Sequence, residues 1–128
     1  MSNFHDHLSE AAAKNVEMWL TQPKYAEYKQ VLQEMLEERR WKDLEDSFFK
    51  VLEFGTGGRR GTTGVGSNRI NRVTIGESTQ ALCLYAVQAD LEAPKKGIVI
   101  ACDTRLSSPE LSRYAAQVAA ANGFTTSI

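Results

Sequence analysis

Apolar residues recur at helical spacing through the first fifty positions of the chain. One stripe runs through residues 9–20, and Thr21 and Pro23 then separate it from the next segment. A third, shorter stripe contains Trp41, Leu44 and Phe48. The longest stripe, between these two, consists of Tyr25, Tyr28, Val31, Leu32, Met35 and Leu36. The pattern predicts three amphipathic helices, whose shared core contains the aromatic residues Trp19, Tyr25, Tyr28, Trp41 and Phe48.

After residue 52 the pattern changes to strands that alternate with helices. Residues 51–54 predict a short strand, and the continuous, β-branched run GIVIACD at 97–103 predicts a strand buried on both faces. Between them, Thr74 and Glu77 form a T-x-x-E capping box, which predicts a helix that ends near Asp90.

The last part of the chain continues this alternation. Ser108 is a good N-cap with Pro109 at the first helical position, and Asn122 and Gly123 are a good helix stop. Residues 124–128 predict the start of another strand. Strand, helix, strand, helix and strand in this order are typical of a parallel α/β fold.

Composition and charge exclude several classes of protein. The chain has 128 residues, 42% of them hydrophobic, and a formal net charge of −1, which argues against a nucleic-acid binder with a basic surface. No apolar run is long enough to cross a membrane, and the N-terminus lacks a secretory signal. Cys83 and Cys102 could form a disulfide, but we favour two buried, reduced thiols in a cytoplasmic protein. His5 and His7 lack further ligands nearby, so we expect no metal site there.

Glycine and positive charge are concentrated in one stretch, residues 53–74. It holds six of the nine glycines and four arginines, whereas residues 1–53 contain seven Lys or Arg and eleven Asp or Glu. Glycine lets backbone amides approach an anion, arginine adds bidentate donors for phosphate, and the following helix can add its N-terminus. The stretch therefore indicates either a phosphate or phosphosugar site or a flexible surface loop with solvated arginines.

Three segments of the sequence resemble one family. FGTGGRRG at 54–61 is similar to the N-terminal signature of the α-D-phosphohexomutases, and GVGSNRIN at 64–71 resembles that of the phosphoglucomutase and phosphopentomutase branch, which also carries a helical N-terminal extension. IACDTRLSSPELSRYAAQVAAANGF at 100–124 resembles the strand–loop–helix segment of the family. The resemblance implies an α/β protein, with a helical N-terminal extension at 1–51 and an incomplete parallel or mixed α/β phosphohexomutase domain I at 52–128.

The resemblance also implies a chemistry. These enzymes move a phosphoryl group between two positions of a sugar through a bisphosphorylated intermediate, using a phosphorylated serine and Mg²⁺. Arg60 matches the arginine that faces the phosphoserine and the transferring phosphate, and Thr56, Gly57 and Gly58 match the loop beside it. The expected substrate is a sugar phosphate, without nucleic-acid or membrane partners. Asp103 and Arg105 match a family pair for which we favour a structural role near the site over a catalytic one. For Ser107 and Ser108 we favour helix capping over a role as nucleophiles.

The chain departs from the family pattern in several respects. The catalytic serine loop and the Asp-rich metal loop do not occur in it, so we expect an N-terminal fragment that is inactive alone and that relies on the remaining domains of a parent chain. Arg59 stands where the family usually has an apolar residue, and Thr63 where it has Met or Val. For Arg59, we favour a partly solvated side chain over a second phosphate donor.

Three functions remain open at this point. The first is the N-terminal piece of a sugar-phosphate mutase. The second is a stand-alone phosphate-binding or phosphosugar-binding regulatory module without catalysis. The third is a helical interaction segment, in which residues 1–50 dock a partner. We favour the mutase because three motifs occur in the family's order.

Overall fold

The computed structural model of the chain describes residues 4–55, 58–59, 61–102 and 108–127. It divides into two compact units, residues 1–73 and residues 74–128. The division falls in the first turn of a helix, between Val73 and Thr74. The sequence predicts a different boundary, between residues 51 and 52, with a helical extension before it and an α/β domain after it. That boundary remains a prediction.

The first unit is built around helices. Its α-helices are α1 (Glu10–Thr21), α2 (Ala26–Glu37) and α3 (Trp41–Phe48), and single 3-10 turns cover Phe4–Asp6 and Pro23–Tyr25. Ser9 caps α1, because its Oγ accepts a hydrogen bond from the amide of Ala12 at 3.2 Å. Glu45 of α3 accepts hydrogen bonds from the backbone amide and the hydroxyl of Ser9, so the cap also joins α1 to α3.

One hydrophobic core holds these helices together, as their stripes predict. The ring of Trp19 stacks on Tyr25 with centroids 4.4 Å apart and meets Phe48 edge-on at 5.5 Å. Tyr28 and Trp41 pack against the same core and are partly buried. The prediction fails for Val31, whose side chain is 44% exposed, because the buried face of α2 is narrower than the apolar stripe.

The second unit combines two longer helices with a small parallel sheet. Its helices are α4 (Arg72–Ala89), α5 (Ala93–Lys96) and α6 (Ser108–Ala121), and the first two residues of α4 belong to the first unit. The first unit also contains two strands, β1 (Phe54–Gly55) and β2 (Gly58–Arg59). The strands of the second unit are β3 (Ile98–Val99) and β4 (Thr126–Ser127). Strands β3 and β4 pair in parallel, with Ile98 opposite Thr126 and Val99 opposite Ser127. The predicted parallel arrangement of these two strands is confirmed.

Close packing between α4 and α6 defines the second unit. A Cβ built on Gly76 would lie 2.8 Å from Cε2 of Tyr114, so glycine allows the two helices to approach. Cys83, Ala119 and Phe124 form the buried core of this unit, and burial raises the pKa of the Cys83 thiol. Helix α6 ends as predicted: Gly123 has a φ of 84°, and its amide donates to the carbonyl of Ala120.

Three sequence-based expectations for this region are wrong. Helix α4 begins at Arg72, two residues before the predicted cap Thr74, which is buried inside the first turns instead. Val99 is 79% exposed, whereas a strand buried on both faces needs helices packed on each face of its sheet, and among the described residues β3 belongs to a sheet of two strands. Cys102 is exposed, whereas Cys83 is buried, and both are free thiols.

Candidate functional site

The glycine-rich stretch begins with a small β-hairpin. Strand β1 (Phe54–Gly55) pairs antiparallel with β2 (Gly58–Arg59), and the register places Phe54 opposite Arg59 and Gly55 opposite Gly58. The sequence analysis predicted a strand at residues 51–54 but no partner for it. A hairpin this short has too few residues to show an alternating pattern of apolar and polar positions. Its glycines and its arginine are residues that are typical of a loop in the sequence.

The base of the hairpin is closed by apolar packing. Leu52, just before β1, is buried, and its Cδ1 would lie 2.9 Å from a Cβ placed on Gly61, just after β2. Ile70, which is also buried, lies 3.9 Å from the same position. The residues that enter and leave the hairpin therefore meet over Ile70.

The second half of the glycine-rich stretch lies against the end of α3. Gly66 has a φ of 138°, and a Cβ there would lie 2.8 Å from the Cβ of Ser47. Ser67 donates its hydroxyl to the carbonyl of Lys50 at 2.8 Å, and its own carbonyl accepts the amide of Leu52 at 2.8 Å. These contacts fix the GVGSN segment to the chain that leads from α3 into β1.

Asn68 and Arg69 extend this contact to the side of α3. The Asn68 backbone amide donates to the carbonyl of Ser47 at 2.9 Å, and its side-chain amide donates to the carbonyl of Asp46 at 3.1 Å. The guanidinium of Arg69 donates to the carbonyl of Asp46 at 3.4 Å and forms an ion pair with the Asp46 carboxylate. One of the four arginines of the stretch thus binds an acid of the helical segment.

Arg72 is used in the same way. Its side chain lies 3.7 Å from Glu27 of α2, and its backbone amide, the first of helix α4, donates to the hydroxyl of Tyr28 at 2.9 Å. Asn71 donates its side-chain amide to the carbonyls of Gly64 and Gly66, both at 2.9 Å. The sequence analysis proposed that the N-terminus of this helix could help to bind an anion. In the structure, the first amide of α4 instead donates its hydrogen bond to the hydroxyl of Tyr28.

Asp46, Glu27 and Tyr28 are the residues that the sequence analysis did not connect with the stretch. A signal for the two acids was present, because residues 1–53 carry a net negative charge and residues 53–74 carry four arginines. Charge complementarity between the two segments predicts contacts of this kind, although it does not assign partners. The concentration of arginine thus has an internal explanation for Arg69 and Arg72.

The predicted phosphate-binding residues fall mostly outside the described part of the chain. Thr56, Gly57 and Arg60 lie outside the described residues, as do Asp103, Arg105 and Ser107. Gly58 is in strand β2, and the side chain of Arg59 is half-buried. Ser108 is the first residue of helix α6.

The described residues do not present a metal centre. In the ranges that the structure describes, no three His, Cys, Asp or Glu side chains come together in a way that could hold a metal ion. His7 stacks on Trp41 at 4.4 Å, and His5 stacks on Phe4 at 4.6 Å, so both imidazoles pack against aromatic rings. The donor set of this part of the chain does not fit Mg²⁺. None of the helices in the described ranges has the length and apolar character of a membrane span.

Comparison with known proteins identifies relatives. The chain is 35% identical to phosphopentomutase of Homo sapiens over 104 residues, which cover 80% of this chain and 17% of that protein. It is 30% identical to glucose 1,6-bisphosphate synthase of Mus musculus over 106 residues, covering 78% of this chain and 17% of that protein. It is 37% identical to a phosphoglucomutase of Staphylococcus saprophyticus over 81 residues, covering 63% of this chain and 14% of that protein. The chain thus spans about one sixth of the length of the curated relatives it matches.

A family assignment follows from the match of residues 51–128 to one family. No solved structure matches the chain significantly. Residues 51–128 match the family described as phosphoglucomutase/phosphomannomutase, alpha/beta/alpha domain I, a range that contains the hairpin, the stretch that contacts α3 and the whole second unit. The chain therefore belongs to the phosphoglucomutase/phosphomannomutase family, whose domain I its residues 51–128 match.

Proposed function

We propose that this chain supplies the N-terminal part of a phosphosugar mutase. The parent enzyme would move a phosphoryl group between two positions of a hexose or pentose phosphate through a bisphosphorylated intermediate. The observation that carries the proposal is the match of residues 51–128 to domain I of the family, with the β1–β2 hairpin inside the matched range. The names of the relatives support the same class of reaction, and both phosphopentomutase and phosphoglucomutase are among them.

The hairpin suits a role in phosphate binding. Its strands pair Gly55 with Gly58, and the two residues that connect them in the sequence are Thr56 and Gly57. Glycines permit the close approach of backbone amides to an anion, because they place no Cβ between the amide and the ligand. We propose that Thr56, Gly57 and Gly58 form one side of the phosphate site.

Arg60 would supply the charge. A guanidinium can donate two parallel hydrogen bonds to phosphoryl oxygens, and such preorganised donors lower the barrier when they bind the transferring group more strongly than the ground state. Asp103 and Arg105 would shape the neighbouring loop. The phosphorylated serine and the ligands of Mg²⁺ would come from other parts of the parent chain.

The test of this site is Arg60→Ala in the full-length mutase. A charge-assisted hydrogen bond contributes about 1.5–3 kcal/mol, so kcat/KM should fall by about ten- to a hundredfold. Arg60→Lys should recover only part of the loss, because lysine keeps the charge and loses the planar fork.

Arg59→Leu is the matched control, since it changes the arginine that precedes Arg60 in the sequence to a residue of the kind usual in the family. Its kcat/KM should stay near that of the wild type. Full activity of Arg60→Ala together with a crippled Arg59→Leu would place the phosphate contact one residue earlier and overturn the assignment from residue 54 to residue 61.

A further inference from the structure

We propose that Asp46 and Arg69 are positioning residues, which hold the β1–β2 hairpin in place from the end of helix α3. The role of the hairpin in phosphate binding rests on the proposed function. The support of the hairpin by Asp46 and Arg69 rests on the contacts in the structure alone. Three sets of contacts lead from α3 to the hairpin.

The first set joins α3 to residues 67–70, which are called the loop. Arg69 is only 16% exposed in its side chain and makes both an ion pair with the Asp46 carboxylate and a hydrogen bond to the Asp46 carbonyl. Asn68 adds the hydrogen bonds to Ser47 and Asp46 described above. Exposed ion pairs contribute little to stability on their own, and the Asp46 side chain is 66% exposed. The contribution of this pair is therefore mainly geometric, because Arg69 holds the side chain and the backbone of one residue at once.

The second set joins the loop to the chain that enters the hairpin. Ser67, two residues before Arg69, binds the carbonyl of Lys50 through its hydroxyl and the amide of Leu52 through its carbonyl, both at 2.8 Å. Leu52 lies two residues before β1. A displacement of residues 67–69 away from α3 therefore breaks the hydrogen bonds that fix the entry to the hairpin.

The third set joins the loop to the exit from the hairpin. Ile70, directly after Arg69, donates its amide to the carbonyl of Thr62 at 2.8 Å, and its side chain packs near Gly61. Both ends of the hairpin are thus tied to residues 67–70, and these residues are tied to α3 through Arg69 and Asn68. The helical segment is in this way part of the support of the hairpin.

Amide hydrogen exchange on the 128-residue chain tests this directly. In Arg69→Gln and in Asp46→Asn, exchange in residues 52–61 should accelerate by about three- to tenfold, because the hairpin opens locally more often. The double variant should show no more acceleration than the stronger single variant, since both changes remove the ion pair between Arg69 and Asp46. Arg69→Lys should recover part of the protection. The matched control is Asp43→Asn, which removes an ion pair with Arg40 on the same helix and should leave residues 52–61 unchanged.

In the full-length mutase, Arg69→Gln and Asp46→Asn should lower kcat by about three- to tenfold more than Asp43→Asn does, at a temperature where all variants are folded. Unchanged exchange in residues 52–61 in a folded Asp46→Asn and Arg69→Gln overturns the proposal, as does equal acceleration in Asp43→Asn. If Arg69→Gln does not fold, Asp46→Asn and Arg69→Lys decide the question. Accelerated exchange together with a wild-type protein that converts no sugar phosphate supports the positioning contact and contradicts the proposed function.

Discussion

At Gly66, backbone conformation and close packing both require glycine. Its φ of 138° is rarely adopted by residues with a side chain, and a Cβ there would meet Ser47 at the end of α3. Gly66→Ala should therefore introduce both backbone strain and a steric clash with Ser47, and we expect a loss of about 2–4 kcal/mol in the free energy of unfolding of the chain, measured by urea denaturation.

Gly123→Ala provides the control. Gly123 also has a positive φ, 84°, but a Cβ there would meet no atom within 4 Å. Only the backbone strain remains, so the loss should be about 1–2 kcal/mol. Equal losses in the two variants would show that the close approach of Gly66 to Ser47 has no energetic consequence.

The arginines show how far single residues could be interpreted from the sequence. Their concentration in residues 59–72 was evident, and it favoured a phosphate site. Arg69 binds an acid 23 residues earlier, and the amide of Arg72 binds a hydroxyl 44 residues earlier. Local patterns contain no information on partners at such separations, so the sequence could not divide these arginines between ligand and protein contacts.

At the scale of elements, the end of helix α3 shows a clear contrast between its last residue, Phe48, and the C-cap residue, Phe49. Phe48 is fully buried against Trp19, whereas Phe49 is 40% exposed. Phe48→Ala should reduce the free energy of unfolding by about 3–5 kcal/mol, because it leaves a cavity in the core of the first unit. Phe49→Ala should cost about 1 kcal/mol or less. Urea denaturation of both variants measures the difference, and a larger loss for Phe49→Ala would contradict the placement of α3.

Helices were predicted well and strands poorly, for a physical reason. A helix of twelve residues, such as α1 or α2, satisfies its own hydrogen bonds and repeats its apolar stripe over several turns. Strands of two residues exist only through their partners, as in the pairing of Phe54 with Arg59 and of Ile98 with Thr126. The parallel pairing of β3 and β4 could be predicted because a helix separates two apolar runs, whereas the hairpin carries no such signal.

The same limit explains the error at Val99 and Cys102. The run at 97–103 is apolar and β-branched, which is typical of a strand that is buried on both faces. In the structure, however, Val99 is 79% exposed and Cys102 is exposed. Composition reports the environment for which a strand is suited. Composition does not report whether other elements cover the two faces of the strand.

At the scale of the whole molecule, the chain belongs to the phosphoglucomutase/phosphomannomutase family. The chain matches domain I over residues 51–128 and spans about one sixth of its curated relatives, so the activity itself is a proposal about the parent enzyme. The family could be inferred from three motifs. The support of the hairpin by the helical segment could not, because it depends on contacts such as that of Asp46 with Arg69.

The most direct test of the central claim is the interconversion of sugar phosphates followed by ³¹P NMR. The proposed full-length parent of this chain is incubated with Mg²⁺ and either glucose 1-phosphate with catalytic glucose 1,6-bisphosphate or ribose 1-phosphate with catalytic ribose 1,5-bisphosphate. The account predicts that the 1-phosphate resonance of at least one sugar is replaced by that of the 6-phosphate or 5-phosphate, and that the 128-residue chain alone causes no conversion. Failure of the folded full-length protein to convert either sugar, or turnover by the 128-residue chain alone, would contradict it.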